Sequence, residues 1–236
     1  MRRRTYFLIA FIFFVIYSCI VACYIKGNND FEDTVTTNST AVTSHVVVID
    51  AGHGKPDEGA VGLYGTTEEA INLKIALKLQ SLIEKSGGIV YLTRSDENGI
   101  YSTDSNSIKQ KKVSDIKNRV AIGNQEDVDI FVSIHLNKYP SSIYSGWQTF
   151  YQEGNEESIN LANFIQEGIN KSISTPNNRV PLPLKGIYIM DNVENTTVTV
   201  ECGFLSNEEE AKKLEEDDYQ DKLAWGIYIG IQEFFK

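Results

Sequence analysis

Short apolar runs alternate with amphipathic segments of helical length from His45 to the end of the 236-residue chain. β-branched and aromatic runs predict buried strands at 46–51, 89–94, 129–136, 186–190 and 197–204. The alternation at 147–152 predicts an edge or antiparallel strand, and 95–112 is expected to be a surface loop. Apolar residues three and four apart predict helices at 68–85, 115–123, 156–172, 208–216 and 219–235. Strands alternating with helices predict an α/β fold, here a single domain with a mixed, mostly parallel six-stranded sheet and helices on both faces.

The N-terminal segment has a different pattern. Arg2, Arg3 and Arg4 precede an apolar run from Tyr6 to Ile25. A run of ~20 apolar residues is long enough to cross a bilayer, and the positive residues before it stay on the cytoplasmic side. We therefore expect residues 1–25 to be a signal peptide or a membrane-spanning signal anchor that exports the rest of the chain.

The same region allows lipidation of Cys23 and sets the bounds of a linker and a folded domain. Cys23 follows Ile20-Val21-Ala22 as in a lipobox, so lipidation is a third alternative, although Tyr24-Ile25 would be a poor start for a mature protein. The polar, Thr/Asn-rich stretch 26–44 has no periodicity and predicts a flexible linker. Residues 45–236 are then the folded domain.

Net charge and cysteine content limit which partners the protein can bind and what can stabilise its fold. The formal net charge of −10 excludes a nucleic-acid partner, because such a protein needs a basic face to displace counterions. Two of the three cysteines lie in the N-terminal apolar run, so no disulfide framework is possible. The core or a metal must therefore stabilise the fold.

Two of the three histidines follow directly on predicted strands. His53 comes after 46–51, and His135 ends the strand signal FVSIH (131–135). Functional groups of open α/β sheets gather beyond the carboxyl ends of the strands, so the two histidines are expected to be neighbours. Glu68 begins a helix, where the helix dipole favours an ionised carboxylate. Glu201 stands inside the apolar run 197–204.

Two histidines and one carboxylate around an open position form one known ligand set of catalytic zinc, and a further carboxylate would be the general base. Each residue also has a structural interpretation. A strand-end histidine is usually a core or loop residue, and a glutamate at a helix start usually stabilises the helix. A glutamate inside an apolar strand is rarer, because an unpaired buried carboxylate is costly. Spacing alone leaves both interpretations open.

The motifs around these residues resemble those of the zinc-dependent N-acetylmuramoyl-L-alanine amidases of bacteria (amidase type 3). VVVIDAGHGKPDEGAVG is similar to the first motif of that family, and EEAINLKIALKL, FVSIHLN and VECGFLSN follow in the family's order. The resemblance spans residues 45–236, which it identifies as an amidase catalytic domain. It implies that His53, Glu68 and His135 bind Zn²⁺ and that Glu201 is the catalytic carboxylate. Ala51 stands where the family usually has proline, which concerns loop shape.

Two segments, SGWQTFYQ and YQDKLAWGIYIGI, are similar to the sporulation subgroup of this family. That similarity implies hydrolysis of the amide between N-acetylmuramic acid and L-alanine in spore-cortex peptidoglycan, as a step toward muramic-δ-lactam. It further implies a place outside the cytoplasmic membrane, in the forespore intermembrane space, with an activator protein as a candidate partner. The rivals are a catalytically silent peptidoglycan-binding module and a zinc peptidase that cuts within the stem peptide.

The resemblance also implies roles for residues around the site. Arg94 and Arg119 match positions where the family often has arginine, and they are weak candidates for binding substrate carboxylates; internal ion pairs are the alternative. Cys202 is expected to be a small buried residue on the face of its strand opposite to Glu201, since successive side chains alternate.

Overall fold

The structure is a computed structural model that describes residues 40–236. Its strands are β1 (Val46–Ala51), β2 (Ile89–Leu92), β3 (Ile130–Asn137), β4 (Gln148–Gln152), β5 (Leu182–Leu184) and β6 (Thr196–Phe204). Its helices are α1 (Glu68–Lys85), α2 (Ile108–Gly123), α3 (Glu156–Ser172), α4 (Tyr188–Asn192), α5 (Glu208–Glu215) and α6 (Asp217–Phe234).

The six strands form one sheet in the order β2-β1-β3-β6-β4-β5. The first four strands of this order are parallel, β4 is antiparallel to β6, and β5 is parallel to β4. The predicted α/β fold with a mixed, mostly parallel sheet is therefore confirmed. The candidate residues were expected beyond the carboxyl ends of its parallel strands, and β1, β3 and β6 are three of these strands.

Helices cover both faces of the sheet. Val47 and Ile49 of β1 contribute to a large core that includes apolar residues of α1, α3, α5 and α6. Val46 and Val48 point the other way, into a smaller core that includes residues of α2 and α4. Both faces of β1 are thus apolar, which explains why its sequence is a continuous β-branched run rather than an alternating one.

Helices α3 and α6 pack unusually closely through glycines. A Cβ on Gly226 would lie 2.5 Å from Ile169 Cα, and one on Gly230 would lie 2.4 Å from Ile165 Cα. Only glycine allows these two backbones to approach so closely. The contact fixes α6, and with it α1, against one face of the sheet.

Three of the predicted elements need correction. The segment 186–190 was predicted as a strand, but its residues 188–190 lie in α4, which buries Ile189 and Met190 on the side of the sheet that carries the smaller core. Helix α2 begins at Ile108, because Ser107 and Gln110 form a capping box, so the predicted loop is shorter. Strand β4 is antiparallel as expected, but it is not an edge strand, since the unpredicted β5 pairs with it.

The folded domain begins before His45. Val42 is fully buried in the large core, and its N–H donates to the Gln232 side chain. Thr40 and Thr43 donate to the Ser86 carbonyl. Residues 40–44, predicted as the end of the linker, are thus packed on the domain. The predictions for 1–25 and for 26–39 lie outside the described residues. Within residues 40–236, no helix is both long and apolar enough to span a membrane.

Candidate active site

Strands β1, β3 and β6 bring the predicted site residues to one edge of the sheet. His135 in β3 is the register partner of Glu201 in β6, so both side chains point to the same face. Gly52, just after β1, donates its N–H to the Ile134 carbonyl at 3.0 Å, which places His53 directly beyond the sheet edge. The rings of His53 and His135 meet edge to face, with centroids 5.0 Å apart.

Glu68, the first residue of α1, lies between the two histidines. Its Oε1 is 3.0 Å from His135 Nδ1 and accepts the Leu136 N–H at 3.0 Å. Its Oε2 is 3.3 Å from His53 Nε2 and accepts the Ala60 N–H at 2.8 Å. Burial alone would raise the pKa of Glu68, but the contacts with His135 and His53 outweigh burial and hold the pKa well below its usual range. Glu68 is therefore a fixed anion.

His53 is held from its other side by Asp57. His53 has a positive φ of 63°, and its Nδ1 lies 3.2 Å from Asp57 Oδ2. Lys112 Nζ is 2.7 Å from Asp57 Oδ1. Burial alone would lower the pKa of His53, but the paired carboxylates of Asp57 and Glu68 raise it to about 9. Asp57 thus orients the ring so that Nε2 faces Glu68.

Glu201 differs from the other carboxylates here. Its Oε2 is buried and has no hydrogen-bond partner within residues 40–236. Burial raises the pKa of Glu201 to about 7, with His135 opposing the shift and Glu68 adding to it. A carboxyl group that titrates near neutral pH can accept and deliver a proton. Cys202 next to it is fully buried in the large core, as predicted.

The residues present fit a zinc ion. One ligand atom each from His53, Glu68 and His135 lies within 4.8 Å of the others. Two imidazoles and one carboxylate match a catalytic zinc set that leaves a fourth position open. A Cβ on Gly59 would lie 2.6 Å from Glu68 Oε2, and one on Gly52 would lie 2.4 Å from His135 Nε2. Glycine at both positions lets the backbone pass close to the cluster.

Arg94 and Arg119 do not line the cluster, and the structure does not support the predicted role in substrate binding. Both are buried, at 3% and 2% exposure. Arg94 donates to the carbonyls of Ala51, Gly52 and Glu69. Arg119 pairs with Asp50 and Asp115 and donates to the carbonyls of Ala51 and His53. The guanidinium groups of both arginines instead have a structural role, because their internal contacts fix the loop that carries His53.

Three polar residues around the site were not predicted from the sequence. Asp57 follows His53 by four residues in the same loop, and that spacing was the available signal. Asn72 donates to the Gly52 carbonyl at 3.1 Å and faces Glu68 one helical turn earlier. Asp50 accepts from Ser133 and Thr93 and pairs with Arg119. Asn72 and Asp50 each place a polar side chain on an otherwise apolar face of a helix or strand. That exception to the pattern could have identified both residues from the sequence.

Known proteins resemble the chain over the described domain. The profile of the N-acetylmuramoyl-L-alanine amidase family (Amidase_3) matches residues 47–233. The germination-specific N-acetylmuramoyl-L-alanine amidase of Bacillus subtilis (strain 168) is 30% identical over 235 residues, covering 100% of this chain and 97% of that protein.

Solved structures give the same result. The CwlD amidase of Clostridioides difficile, determined in complex with the GerS lipoprotein, is 44% identical with a TM-score of 0.78 and covers 81% of this chain and 98% of that one. The catalytic domain of the amidase CwlV from Bacillus (Paenibacillus) polymyxa var. colistinus is 32% identical with a TM-score of 0.69, covering 80% and 97%. The predicted resemblance to amidases of the sporulation subgroup is confirmed.

Proposed function

The chain belongs to the N-acetylmuramoyl-L-alanine amidase family and is an enzyme of that class; from this premise we propose how its own residues perform the hydrolysis. His53, Glu68 and His135 hold one zinc ion, and Glu201 is the general base and acid. The observation that carries this assignment is the buried, unpartnered Oε2 of Glu201 beside three converging ligand atoms. An orphaned carboxylate is costly unless a partner completes the site.

Each residue has a distinct task in this proposal. When bound, zinc supplies a Lewis acid that polarises the amide carbonyl and lowers the pKa of a water from 15.7 to ~7. Glu201 takes a proton from the attacking water and delivers it to the leaving L-alanine amine. Its register position opposite His135 places Glu201 beside one of these ligands for both transfers. Asp57 keeps His53 Nδ1 engaged so that Nε2 is presented to the cluster.

The test compares zinc content, fold and products in one series of variants. His135→Ala should lose most of the zinc. Glu201→Gln should keep zinc and a cooperative melt, while hydrolysis falls by ~100-fold or more, the scale of lost acid–base catalysis. Glu126→Gln, at an exposed loop position, is the control and should behave as wild type. Loss of zinc in Glu201→Gln would make Glu201 a ligand instead of the base.

Product analysis separates the muramoyl amide from bonds within the stem peptide. Cleavage at the muramoyl bond releases a peptide with a free L-alanine amine and leaves a free lactyl carboxyl group on the sugar. Mass spectrometry of digested muropeptides distinguishes this from cleavage within the peptide, which leaves L-alanine on the sugar. Products of the second kind would identify a zinc peptidase.

We further propose a role in the spore cortex. The B. subtilis relative is germination-specific, and its similarity extends over this entire chain. Hydrolysis here would prepare muramic acid for conversion to muramic-δ-lactam. Spores that lack the gene should have cortex muropeptides without the lactam, and a gene encoding Glu201→Gln should not restore it. Normal lactam content in those spores would contradict this role.

An activator partner and export complete the proposal. The C. difficile relative was determined with a lipoprotein, so we propose a lipoprotein partner that supports zinc binding by this chain. Zinc affinity measured with and without the partner tests this.

Residues 1–25 would direct export to the forespore intermembrane space. A soluble form should begin before Thr40, because truncation at His45 would remove Val42 from the core.

A further inference from the structure

The three arginines within residues 40–236 differ in what their guanidinium groups contact. Arg94 and Arg119 are buried and donate to internal carbonyl and carboxylate oxygens. Arg179 is only partly buried, and its Nε lies 3.4 Å from the Ser145 carbonyl. Within the described part of the chain, no carboxylate forms an ion pair with Arg179. Its terminal nitrogens therefore remain for a ligand.

Aromatic rings hold this guanidinium in place. Arg179 Cζ lies 4.9 Å from the centroid of the Phe204 ring, which is 1% exposed. Tyr139 and Tyr144 pack against the same ring, with centroids 5.4 and 6.3 Å away. A planar guanidinium that lies over a ring still has N–H donors along its edge, and these donors match the two oxygens of a carboxylate.

The acidic side chain of Glu210, whose charge is felt by Arg179, does not pair with it. Glu210 lowers its own desolvation cost by accepting the N–H groups of Gly146 and Phe204, both at 2.7 Å. Burial raises the pKa of Glu210, and the two N–H groups oppose that shift. Both oxygens of Glu210 are thus taken by backbone donors, and within the described residues Glu210 forms no ion pair with Arg179.

The sheet places Arg179 near Glu201. A register shift after His135 makes Phe204 the partner of Asn137, so Phe204 faces the same side as Glu201. Gln148 in β4 is the register partner of Glu201 and donates to the carbonyl of Val180, the residue after Arg179. Cross-strand partners have Cβ atoms ~5 Å apart. The side chain of Gln148 therefore lies between Glu201 and the segment that carries Arg179.

We propose that Arg179 binds a carboxylate of the peptidoglycan stem peptide, a subsite that rests on the amidase function proposed above. The muramoyl carboxyl group is consumed in the scissile amide, so the carboxylates left near that bond belong to the peptide. A chain with net charge −10 repels an anionic peptide unless a cation stands close to the site. Arg179 supplies that cation on a fixed aromatic platform.

The test uses two synthetic N-acetylmuramoyl peptides that differ in one group on the residue after L-alanine, a carboxylate or a carboxamide. The zinc-loaded wild type should cleave the carboxylate form about 10- to 100-fold more efficiently in kcat/KM, the range for a charge-assisted hydrogen bond. Arg179→Met should lose that preference by slowing only the carboxylate form. Arg179→Lys should keep part of it, since lysine has the charge without the fork. Lys138→Met removes another cation of the same edge and should keep the full preference.

The following results would contradict the proposal that Arg179 binds a substrate carboxylate. Equal loss on both substrates in Arg179→Met, with an unchanged melting temperature, would mean that Arg179 only supports the aromatic cluster. An equal effect of Lys138→Met would mean that general charge, not Arg179, attracts the peptide. Wild type that cleaves both substrates equally well would refute the subsite alone, whereas wild type that cleaves neither would refute the amidase assignment itself.

Discussion

Glu201 should reduce the stability of the metal-free enzyme at neutral and alkaline pH. Burial raises the pKa of its carboxyl group from the ordinary value of 4.5 to about 7, and its Oε2 has no partner within residues 40–236. A carboxyl whose pKa is higher in the folded protein than in the unfolded chain favours folding only while it is protonated. Stability is therefore lost as pH rises from 4.5 through about 7, and it stays low above that. Glu201→Gln removes the charge and should abolish this loss.

The magnitude follows from the two pKa values. The difference between 4.5 and about 7 corresponds to about 3 kcal/mol at high pH, with about 1.4 kcal/mol for each pH unit. At pH 5 the folded group is still protonated, and the loss is only about 1 kcal/mol. Glu201→Gln should therefore raise the free energy of unfolding by about 2.5 kcal/mol more at pH 8 than at pH 5. Comparing two pH values cancels effects of amide packing that do not depend on pH.

The assay is urea unfolding of zinc-free protein, followed by circular dichroism at pH 5 and pH 8. Wild type, Glu201→Gln and the exposed-site control Glu126→Gln are compared on the same buffers. A gain that is the same at both pH values, or a similar gain in Glu126→Gln, would refute the argument that an ionised Glu201 strains the folded state. Zinc added in excess should reduce the difference, because a bound cation would stabilise the carboxylate.

Three further changes test other parts of the structure. Asp57→Asn should weaken zinc binding about 10- to 100-fold in a chelator competition, because the residue orients His53; unchanged affinity would contradict that role. Arg119→Met should cost about 3–5 kcal/mol in urea unfolding, because it leaves a buried carboxylate of Asp50 unpaired. Gly226→Ala should cost about 1–3 kcal/mol by overpacking against α3, whereas a Cβ on Gly62 meets nothing closer than 3.5 Å, so Gly62→Ala is the control; equal costs would refute the close-packing argument.

The sequence predicted those parts of the fold that depend on local pattern. β1 and α1 have the predicted bounds, because a β-branched run ending in glycine and a helical apolar stripe ending in glycine admit few alternatives. The first turns of α2 were missed because IKQKKVS has no apolar stripe, although the capping box of Ser107 and Gln110 was present in the sequence. The short apolar and aromatic run GIYIM predicted a strand, but part of it forms α4, in which Ile189 and Met190 are buried.

The candidate site was predictable where strand ends and helix starts define it. His53 follows β1, Glu68 begins α1 and His135 lies near the end of β3, so topology alone brings them together. The roles of the arginines were not predictable in this way. Whether a cation faces substrate or backbone depends on which carbonyls lack partners, and that is a property of the assembled sheet. Arg179 has no signal of its own in the sequence, because its platform is formed by a register shift in β6.

The buried arginines have a physical reason connected to catalysis. Strand β1 ends at Ala51, so the carbonyls of Ala51, Gly52 and His53 leave the sheet ladder while still covered by the protein. Buried carbonyls need donors, and these come from Arg94 in the loop after β2 and from Arg119 in α2. The same donors hold the backbone at the positive φ of His53, which a non-glycine residue would otherwise avoid. The position of the first predicted zinc ligand therefore depends on two cations that do not line the ligand cluster.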